Sequence, residues 1–592
     1  MHRNRTWLVD STETVLRTQR NRILPIEGGD GSTLSLNFTT GVLDPRLTFT
    51  RGSNATFINS SGLVEYAASN QLSNSVLAGA SGSTGPTGWL VSFISGTGNF
   101  ALSGVELTIS NNGSATRSRI YQTGPNGNGL FVTVQMRIVA NNTGGLSLAE
   151  IVSFAINGQT SVTYRVNGVT QLSSYNGWTA NDLVTLTCIP TIGQPATCLF
   201  GVGVSNNVST SASITIRDLQ IEIGTEARTY NPTTTSGAYY APRFDHDPTT
   251  LAPRGLLIEG TATNLALNGS MAYTATAPTS WARGFNHCTV ASVDSTTFPG
   301  QKAWSISATA GGQRDFLEQV IALAANTTYT VSIYLEAVTG TTATFAYMSA
   351  IPAGATTNTV VNPSAGRVSF TVTVGATAGT GTLRVGIGTA TGTTVSADAS
   401  VRFSHVQVES GSGASSYILT GASQGSRNAD HCTMPTSSFI TGTLYPQTLF
   451  VDCIPATPSS GSLNLVRLFD RTVGTTFSHG NEIYYYTAAT MSVNRKVTAS
   501  TNTDRSLVTA LTYNTRHKFA TSIDSSAFLG SYDGSTATGA TTPAALPTVA
   551  THLGVGCNGN ATAASVMFGT IRQIKFWPSA LSQSAINALT TL

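Results

Sequence analysis

The stretch APRFDHDPTTLAPRGLLIEGTATNLALNGS, Ala241 to Ser270, sets two arginines beside an acidic cluster in a chain otherwise poor in charge. Asp245, His246, Asp247 and Glu259 offer the carboxylate oxygens and imidazole that bind hard or borderline cations. Their setting argues for another role. Asp247 precedes Pro248, and Pro253-Arg254-Gly255 follows closely, so the stretch reads as successive turns. Arg243 and Arg254 are at hand to pair with the carboxylates. The segment is expected to join larger parts of the chain, not to catalyse.

Glu222 and Glu226 are the other carboxylates whose spacing invites chemistry. A retaining glycosidase holds two carboxyls ~5–5.5 Å apart. Residues four apart on a strand share a face, but their Cα atoms lie ~13 Å apart. A second copy of this segment keeps the first glutamate as Glu409 and has Gly413 in place of the other. Glu222 is therefore expected to be a structural partner for backbone or a tyrosine hydroxyl.

The eight histidines do not cluster. His287-Cys288 and His431-Cys432 are adjacent pairs, but neither has a second pair at zinc-site spacing. G-x-S-x-G, H-E-x-x-H, P-loop and EF-hand patterns are absent. No catalytic residue, cofactor or metal site is expected. Sugar rings stack on exposed aromatic faces. The candidate glycan or interface aromatics are Tyr484 and Tyr486 in NEIYYYTAA, on a strand of which one face is expected to be core, and Tyr239 and Tyr240 in the connector, for which an interface role is favoured. No sugar site is assigned from the sequence. Trp89 and Trp281 occupy matching places in a repeat and are expected to share a packing role. Cys188 and Cys198 could flank a hairpin and bridge; six cysteines in 592 residues are otherwise too few for a disulfide scaffold.

The elements that position these residues are strands. Only 10% of residues are charged, against about 25% in an average soluble protein, and Ser, Thr, Asn and Gly carry the polarity. Apolar and polar residues alternate in GLFVTVQMRIVA (129–140), SASITIRDLQIEIG (211–224), TYTVSIYLEAV (328–338) and GRVSFTVTVGA (366–376), the period of half-buried strands. Helices are predicted only at Thr14–Arg20 and in the closing SQSAINALTTL. The fold class is all-β, serial β-sandwiches with little helix. A net charge of +3 and the lack of a basic stripe give no reason to expect nucleic acid. No apolar run approaches the ~20 residues of a membrane span, and the start lacks the apolar core of a secretory signal. Assembly in a reducing cytoplasm is expected.

One domain is duplicated. ITIRDLQIEIGTEARTYNPT (214–233) matches VRFSHVQVESGSGASSYILT (401–420) at an offset of 187, aligning Gln220, Glu222, Gly224, Ala227 and Tyr230 with Gln407, Glu409, Gly411, Ala414 and Tyr417. Ile214, Ile216, Leu219 and Ile221 answer to Val401, Phe403, Val406 and Val408. NQLSNS…GPTGW (70–89) likewise matches TNLALNGS…APTSW (263–281). The expected division is an N-terminal docking segment 1–45, a connector 46–69, sandwiches at 70–235 and 270–425 joined by 236–269, and a terminal domain 426–592. Residues 1–45 are expected to be dispensable for folding of the rest.

His517-Lys518-Phe519, Asp533-Gly534, Leu553-Gly554-Val555-Gly556, Phe568-Gly569 and IRQIKFWPSALS, in that order, resemble the second half of a laminin-G/concanavalin A-like lectin sandwich. The Q-x-E-x-G-x-x-A-x-x-Y pattern of the repeats resembles the closing strand of carbohydrate-binding-module-like jelly rolls. RLTFTRGSNATFINSSGLVEYAASN (46–70) and PRFDHDPTTLAPRGLLIEGTATNL (242–265) resemble segments of bacteriophage and prophage tail, fibre and head-decoration proteins.

The resemblance implies a non-enzymatic virion protein assembled in the host bacterial cytoplasm. It would dock to other virion proteins through its N-terminal segment, form a homo-oligomer (a trimer by preference), and carry a lectin-like tip for a host-surface glycan. A head fibre or capsid decoration protein without a receptor role is the alternative. A polysaccharide depolymerase lacks a suitable carboxylate pair, and a cell-surface adhesin lacks a recognisable export signal or anchor.

Overall fold

Short-range alternation of apolar side chains favours strands that bury one face, and strands make up nearly all of the regular structure. The computed structural model describes residues 30–592 apart from 113–114, 127–129, 144, 156–158, 191–194, 236, 271–279, 310–312, 341–343, 362, 389–394, 458–461, 470–479, 487–490, 497–501, 509, 538–548 and 558–565. The four alternating segments form the strands Val132–Thr143, Ser213–Ile223, Thr328–Thr339 and Gly366–Thr373. The closing helix runs Gln583–Thr590, where the Ser582 side chain accepts the Ala585 N–H as its cap. The helix expected at Thr14–Arg20 lies outside the described residues. Among those residues no helix is long and apolar enough to cross a membrane.

Each repeat is a two-sheet sandwich. In the first, a four-stranded sheet containing Arg117–Asn126 and Pro195–Val202 packs on an eight-stranded sheet centred on Val132–Thr143 and Ser213–Ile223. In the second, a five-stranded sheet packs on a six-stranded sheet whose centre pairs Thr328–Thr339 with Ser400–Ser410. The inward residues read from the alternation, Ile214, Ile216, Leu219 and Ile221, with Val401, Phe403, Val406 and Val408, are all essentially inaccessible. Their phase slips by one residue after Ile216 and after Phe403. The cause is a β-bulge at the same place in both copies, with Asp218 at φ +55° and His405 at φ +50°.

The third sandwich departs from the expected boundaries. Its eight-stranded sheet takes in Leu34–Asn37, Arg243–His246 and Pro253–Ile258 beside Gln447–Pro455, His517–Ile523 and Gly569–Trp577. Its second sheet begins with Thr48–Thr50, paired to His431–Pro435. Both presumed connectors thus supply strands to the terminal sandwich, and the duplicated sandwiches are insertions within it, the first between Thr48–Thr50 and Arg243–His246 and the second between Pro253–Ile258 and His431–Pro435. Leu34, Leu36, Phe38, Leu256 and Ile258 sit in its core. Gly255, at φ +100°, lets the Pro253–Ile258 strand approach the neighbouring strand, where a Cβ would stand 2.2 Å from the Ile571 carbonyl oxygen.

The motif that carried the lectin-like resemblance works as a strand-to-strand lock. The Asp533 carboxylate accepts the Lys518 N–H at 2.8 Å and meets the His517 imidazole at 2.7 Å, while His517 also contacts the Thr512 carbonyl at 2.8 Å. Burial alone would depress the imidazole, but Asp533 and the Thr512 carbonyl hold it above its ordinary value.

The expectation that residues 1–45 are dispensable is therefore corrected, because Leu34, Leu36 and Phe38 are core residues. Burying three such side chains contributes roughly 5–9 kcal/mol, a large part of a domain's stability. A chain beginning at residue 46 is expected to lose cooperative unfolding of the terminal sandwich in calorimetry, and its 428–592 region should be cut rapidly by protease. Melting and protection equal to the full chain would contradict this placement.

Candidate functional site

The acidic stretch that promised chemistry closes into a buried ion network. Arg243 Nη1 donates to Glu259 Oε2 at 2.6 Å, and Nη2 donates to Asp430 Oδ2 at 2.5 Å. Arg51 Nη1 reaches Asp430 Oδ1 at 2.9 Å, and Arg427 Nη1 lies 3.2 Å from Glu259 Oε2. All five side chains are buried. Burial would raise the Glu259 pKa, but Arg427, Arg243 and hydrogen bonds from Ser416 bring it down to about 2. Asp245 accepts the Ile58 N–H at 2.7 Å, and burial pushes its pKa up to about 6. Asp247 pairs with Arg254 at 2.8 Å. The expected pairings of Arg243 and Arg254 are present; Arg51, Arg427 and Asp430, far away in sequence, were not foreseen. Among the described residues, no group of three or more His, Cys, Asp or Glu could hold a metal ion.

Glu222 is likewise committed. Its Oε1 accepts the Arg228 N–H at 2.9 Å and the Gln220 side-chain amide at 3.0 Å, while Gln220 Oε1 accepts the Asn231 N–H at 2.8 Å. The second copy repeats this atom for atom: Glu409 accepts Ser415 N–H at 2.8 Å and Gln407 accepts Ile418 N–H at 2.7 Å. The Q-x-E signature is the clamp of the turn after the closing strand. Trp89 and Trp281 stand at matching places and donate to neighbouring positions of the preceding segment, the carbonyls of Asn74 and Leu267, at 3.1 and 3.0 Å.

The remaining candidates disperse. Tyr484 is buried, so it is withdrawn as a ligand aromatic; the side chain of Tyr486 lies outside the described residues. Tyr239 and Tyr240 are half-buried on a two-residue strand paired with Ser69–Asn70. Cys188 and Cys198 stand in opposing sheets and are free, correcting the hairpin bridge; burial pushes both thiols up to about 12. Cys288 and Cys432 are buried too.

A polar aromatic platform, not foreseen from sequence, covers the outer face of the five-stranded sheet in the second repeat. Strand register places Tyr347, Arg384 and Glu318 in one row. Arg384 Nε donates to Glu318 Oε2 and Nη1 to the Tyr347 hydroxyl, both at 2.8 Å, and the guanidinium lies 4.7 Å from the Phe316 ring centre. Beside the row, Phe285 meets Phe316 edge-on at 5.4 Å and stacks on exposed His287 at 5.3 Å, 6° from parallel. Asp315, fully buried, holds this loop: its carboxylate accepts the N–H groups of Phe285, His287 and Cys288 at 3.1–3.2 Å and pairs with Arg283 at 2.6 Å. Gln122 and Gln319 mark the same position in the two repeats, each accepting a backbone N–H at 2.7–2.8 Å. The corresponding row of the first repeat is Ser153, Leu199, Tyr121 and Leu90. Comparing YQT (121–123) with EQV (318–320) was the one sequence signal available.

No family model and no curated protein matches the chain. Among solved structures it is similar to the CBM40 module of Ruminococcus gnavus IT-sialidase bound to α2,3-sialyllactose, at 15% identity over 25% of this chain and 82% of that one, TM-score 0.22. It is also similar to the NanB sialidase of Streptococcus pneumoniae, at 13% identity over 26% of each chain, TM-score 0.23. The tandem CBM22-1–CBM22-2 domain of Paenibacillus barcinonensis Xyn10C aligns at 11% identity over 64% of this chain and 97% of that one, TM-score 0.16. At such scores these likenesses carry no functional argument.

Breaking the ion network leaves a buried charge without its partner, a loss of about 3–5 kcal/mol. Arg243→Ala is expected to destabilise the chain by that amount in denaturant unfolding, with Glu259→Gln milder because its hydrogen bonds to Ser416 are partly retained. A loss under about 1 kcal/mol for Arg243→Ala, the range of an exposed pair, would contradict the burial described.

Proposed function

We propose that the chain is a non-enzymatic, glycan-binding subunit of a bacteriophage virion, with the platform of the second sandwich as its glycan-facing surface. The observation that carries the glycan reading is the Tyr347–Arg384–Glu318 row beside Phe316, Phe285 and His287. It sets the rings of half-buried Tyr347 and exposed His287, over buried Phe316, beside hydrogen-bonding groups already fixed in place. The non-enzymatic reading is supported by Glu222 and Glu409, both engaged in clamping backbone. Virion membership rests on the resemblance of the two connectors to phage fibre and decoration proteins. Repeated copies on a particle would turn weak single-site binding into avidity, and a homotrimer is the assembly the resemblance implies.

The geometry supports a different orientation from a lectin-like tip. Lys575 pairs with Asp30 at 2.9 Å, and Trp577 Nε1 donates to the Asp30 carbonyl at 3.0 Å. If the preceding segment docks to the particle, the terminal sandwich lies proximal and the two inserted sandwiches project outward. In imaging of intact particles, a C-terminal label is then expected near the attachment point and a label at Val320 farther out. The reverse order would overturn this orientation. Labels spread over the head would favour the decoration reading.

For the glycan reading, the full-length chain is applied to an array of bacterial surface glycans, since residues 426–592 alone lack strands of their own sandwich. Tyr347→Ala and Arg384→Ala are each expected to weaken binding by about tenfold, as the loss of ~1.5 kcal/mol implies. Binding unchanged in both variants would remove the platform from consideration.

A further inference from the structure

The four-stranded sheet of the first sandwich consists of Leu90–Ile94, Arg117–Asn126, Val152–Phe154 and Pro195–Val202. These strands hold two arginines and no aspartate, glutamate or lysine. Ser118, Ile120 and Phe200 are buried inward, so Arg117, Arg119 and Tyr121 face outward. Gly201 stands opposite Arg119 on the neighbouring strand, where a Cβ would come within 2.8 Å of the Arg119 Cα. The bare backbone there lets the arginine side chain cross towards the far edge of the strand.

The two guanidinium groups converge. Arg119 Nη1 donates to the Val204 carbonyl at 2.9 Å, and Arg117 Nη2 donates to the next carbonyl, that of Ser205, at 3.1 Å. Both side chains are half-buried, and both Nε atoms are enclosed without a partner. Among the described residues neither arginine pairs with a carboxylate. Burial, and next the Arg117 charge, hold Arg119 below its ordinary value. Two like charges are thus gathered at one point, partly withdrawn from water and with no counter-charge, at a cost to the free protein. Folding does not demand them. Gln122 and Gln319 mark the same position in the two repeats, so Arg119 takes the place of Phe316, which likewise faces a glycine, Gly386.

We propose that this face of the first sandwich binds an acidic glycan, its oxyanion held by Arg117 and Arg119 and a sugar ring set against Tyr121. Each guanidinium has five N–H donors, and the bonds to Val204 and Ser205 leave others to meet an anion. Tyr121 lies between exposed Leu90 and buried Leu199, an apolar strip suited to the C–H face of a sugar and not to a bare polyanion. The site is separate from the platform of the second sandwich and does not rest on it.

The test is calorimetric titration of the full-length chain with three probes: oligogalacturonate, its methyl ester, which keeps the sugar and removes the charge, and polyphosphate, which keeps charge and removes the sugar. Oligogalacturonate alone is expected to bind, about tenfold or more weaker in Arg119→Gln and in Arg117→Gln. Arg117→Gln, which gives up one bond to the carbonyl of exposed Ser205, is expected to melt with the unmodified chain. Unaltered affinity in that variant would overturn the proposal. Equal binding of the methyl ester would overturn the role of the arginines, and equal binding of polyphosphate would overturn the sugar assignment. Repeating the titration in Arg384→Ala separates the two surfaces: affinity lost there and kept in Arg117→Gln would place the acid on the platform and sink this site. Absence of oligogalacturonate binding would also sink it, while the platform is judged by its own variants on the array.

Discussion

Burying Arg51, Arg243, Arg427, Glu259 and Asp430 together is the constraint on which the architecture turns. Each ion costs several kcal/mol to desolvate, and only a satisfied network offsets that. Arg51 follows the first terminal-sandwich strand of the second sheet, Arg243 and Glu259 bracket the terminal-sandwich hairpin Arg243–His246/Pro253–Ile258, and Arg427 and Asp430 lead into the strand His431–Pro435. Asp430 binds both Arg51 and Arg243, and its Oδ2 also accepts the Glu259 N–H at 2.9 Å. One carboxylate thus ties three crossings of the chain to a single point. An apolar substitute could pack there, but it would not dictate which segment meets which; directional pairing does.

The duplicated sandwiches separate what the fold requires from what it leaves free. Asn70 and Asn264 donate to equivalent carbonyls, those of Leu219 and Asn231 in one copy and of Val406 and Ile418 in the other. With the Gln–Glu clamps and the tryptophans, they form a polar skeleton whose buried groups would be unsatisfied if any member changed. The outer sheet row carries no such obligation: it is Ser153, Leu199 and Tyr121 in one copy and Tyr347, Arg384 and Glu318 in the other. Surface divergence over an identical frame is what a binding face built on a rigid scaffold requires.

The sequence made the strands legible because alternation is local: Ile214, Ile216 and Leu219 announce their burial within six residues. The repeat was legible for the same reason, since Q-x-E clamps a turn that directly follows it. Glu259 looked like a connector residue, and it is one, yet its partner Arg427 stands far along the chain. The strand Pro253–Ile258 reads as a short apolar run, which does not name its neighbour. That neighbour, Gly569–Trp577, lies beyond an entire inserted sandwich. The platform escaped notice because its aromatics and arginines come from four separate segments, brought together only by strand register.

This nesting also orders the events of folding. Each inserted sandwich is continuous in sequence, so its contacts close loops within one domain's length. The terminal sandwich must bring Leu34–Asn37 against Gly569–Trp577, the longest closure in the chain. Loop-closure entropy grows only slowly with length, but an open loop of more than 500 residues would sample a large volume before closing. Two prefolded insertions shorten that search, because the ends of each emerge side by side: Tyr239–Tyr240 pairs with Ser69–Asn70, and Ala262–Asn264 pairs with Gly425–Arg427. These short two-strand stems bring Arg51 towards Arg243, and Glu259 towards Arg427 and Asp430, before the last strand arrives. The ion network is thus assembled by the insertions it later holds in place.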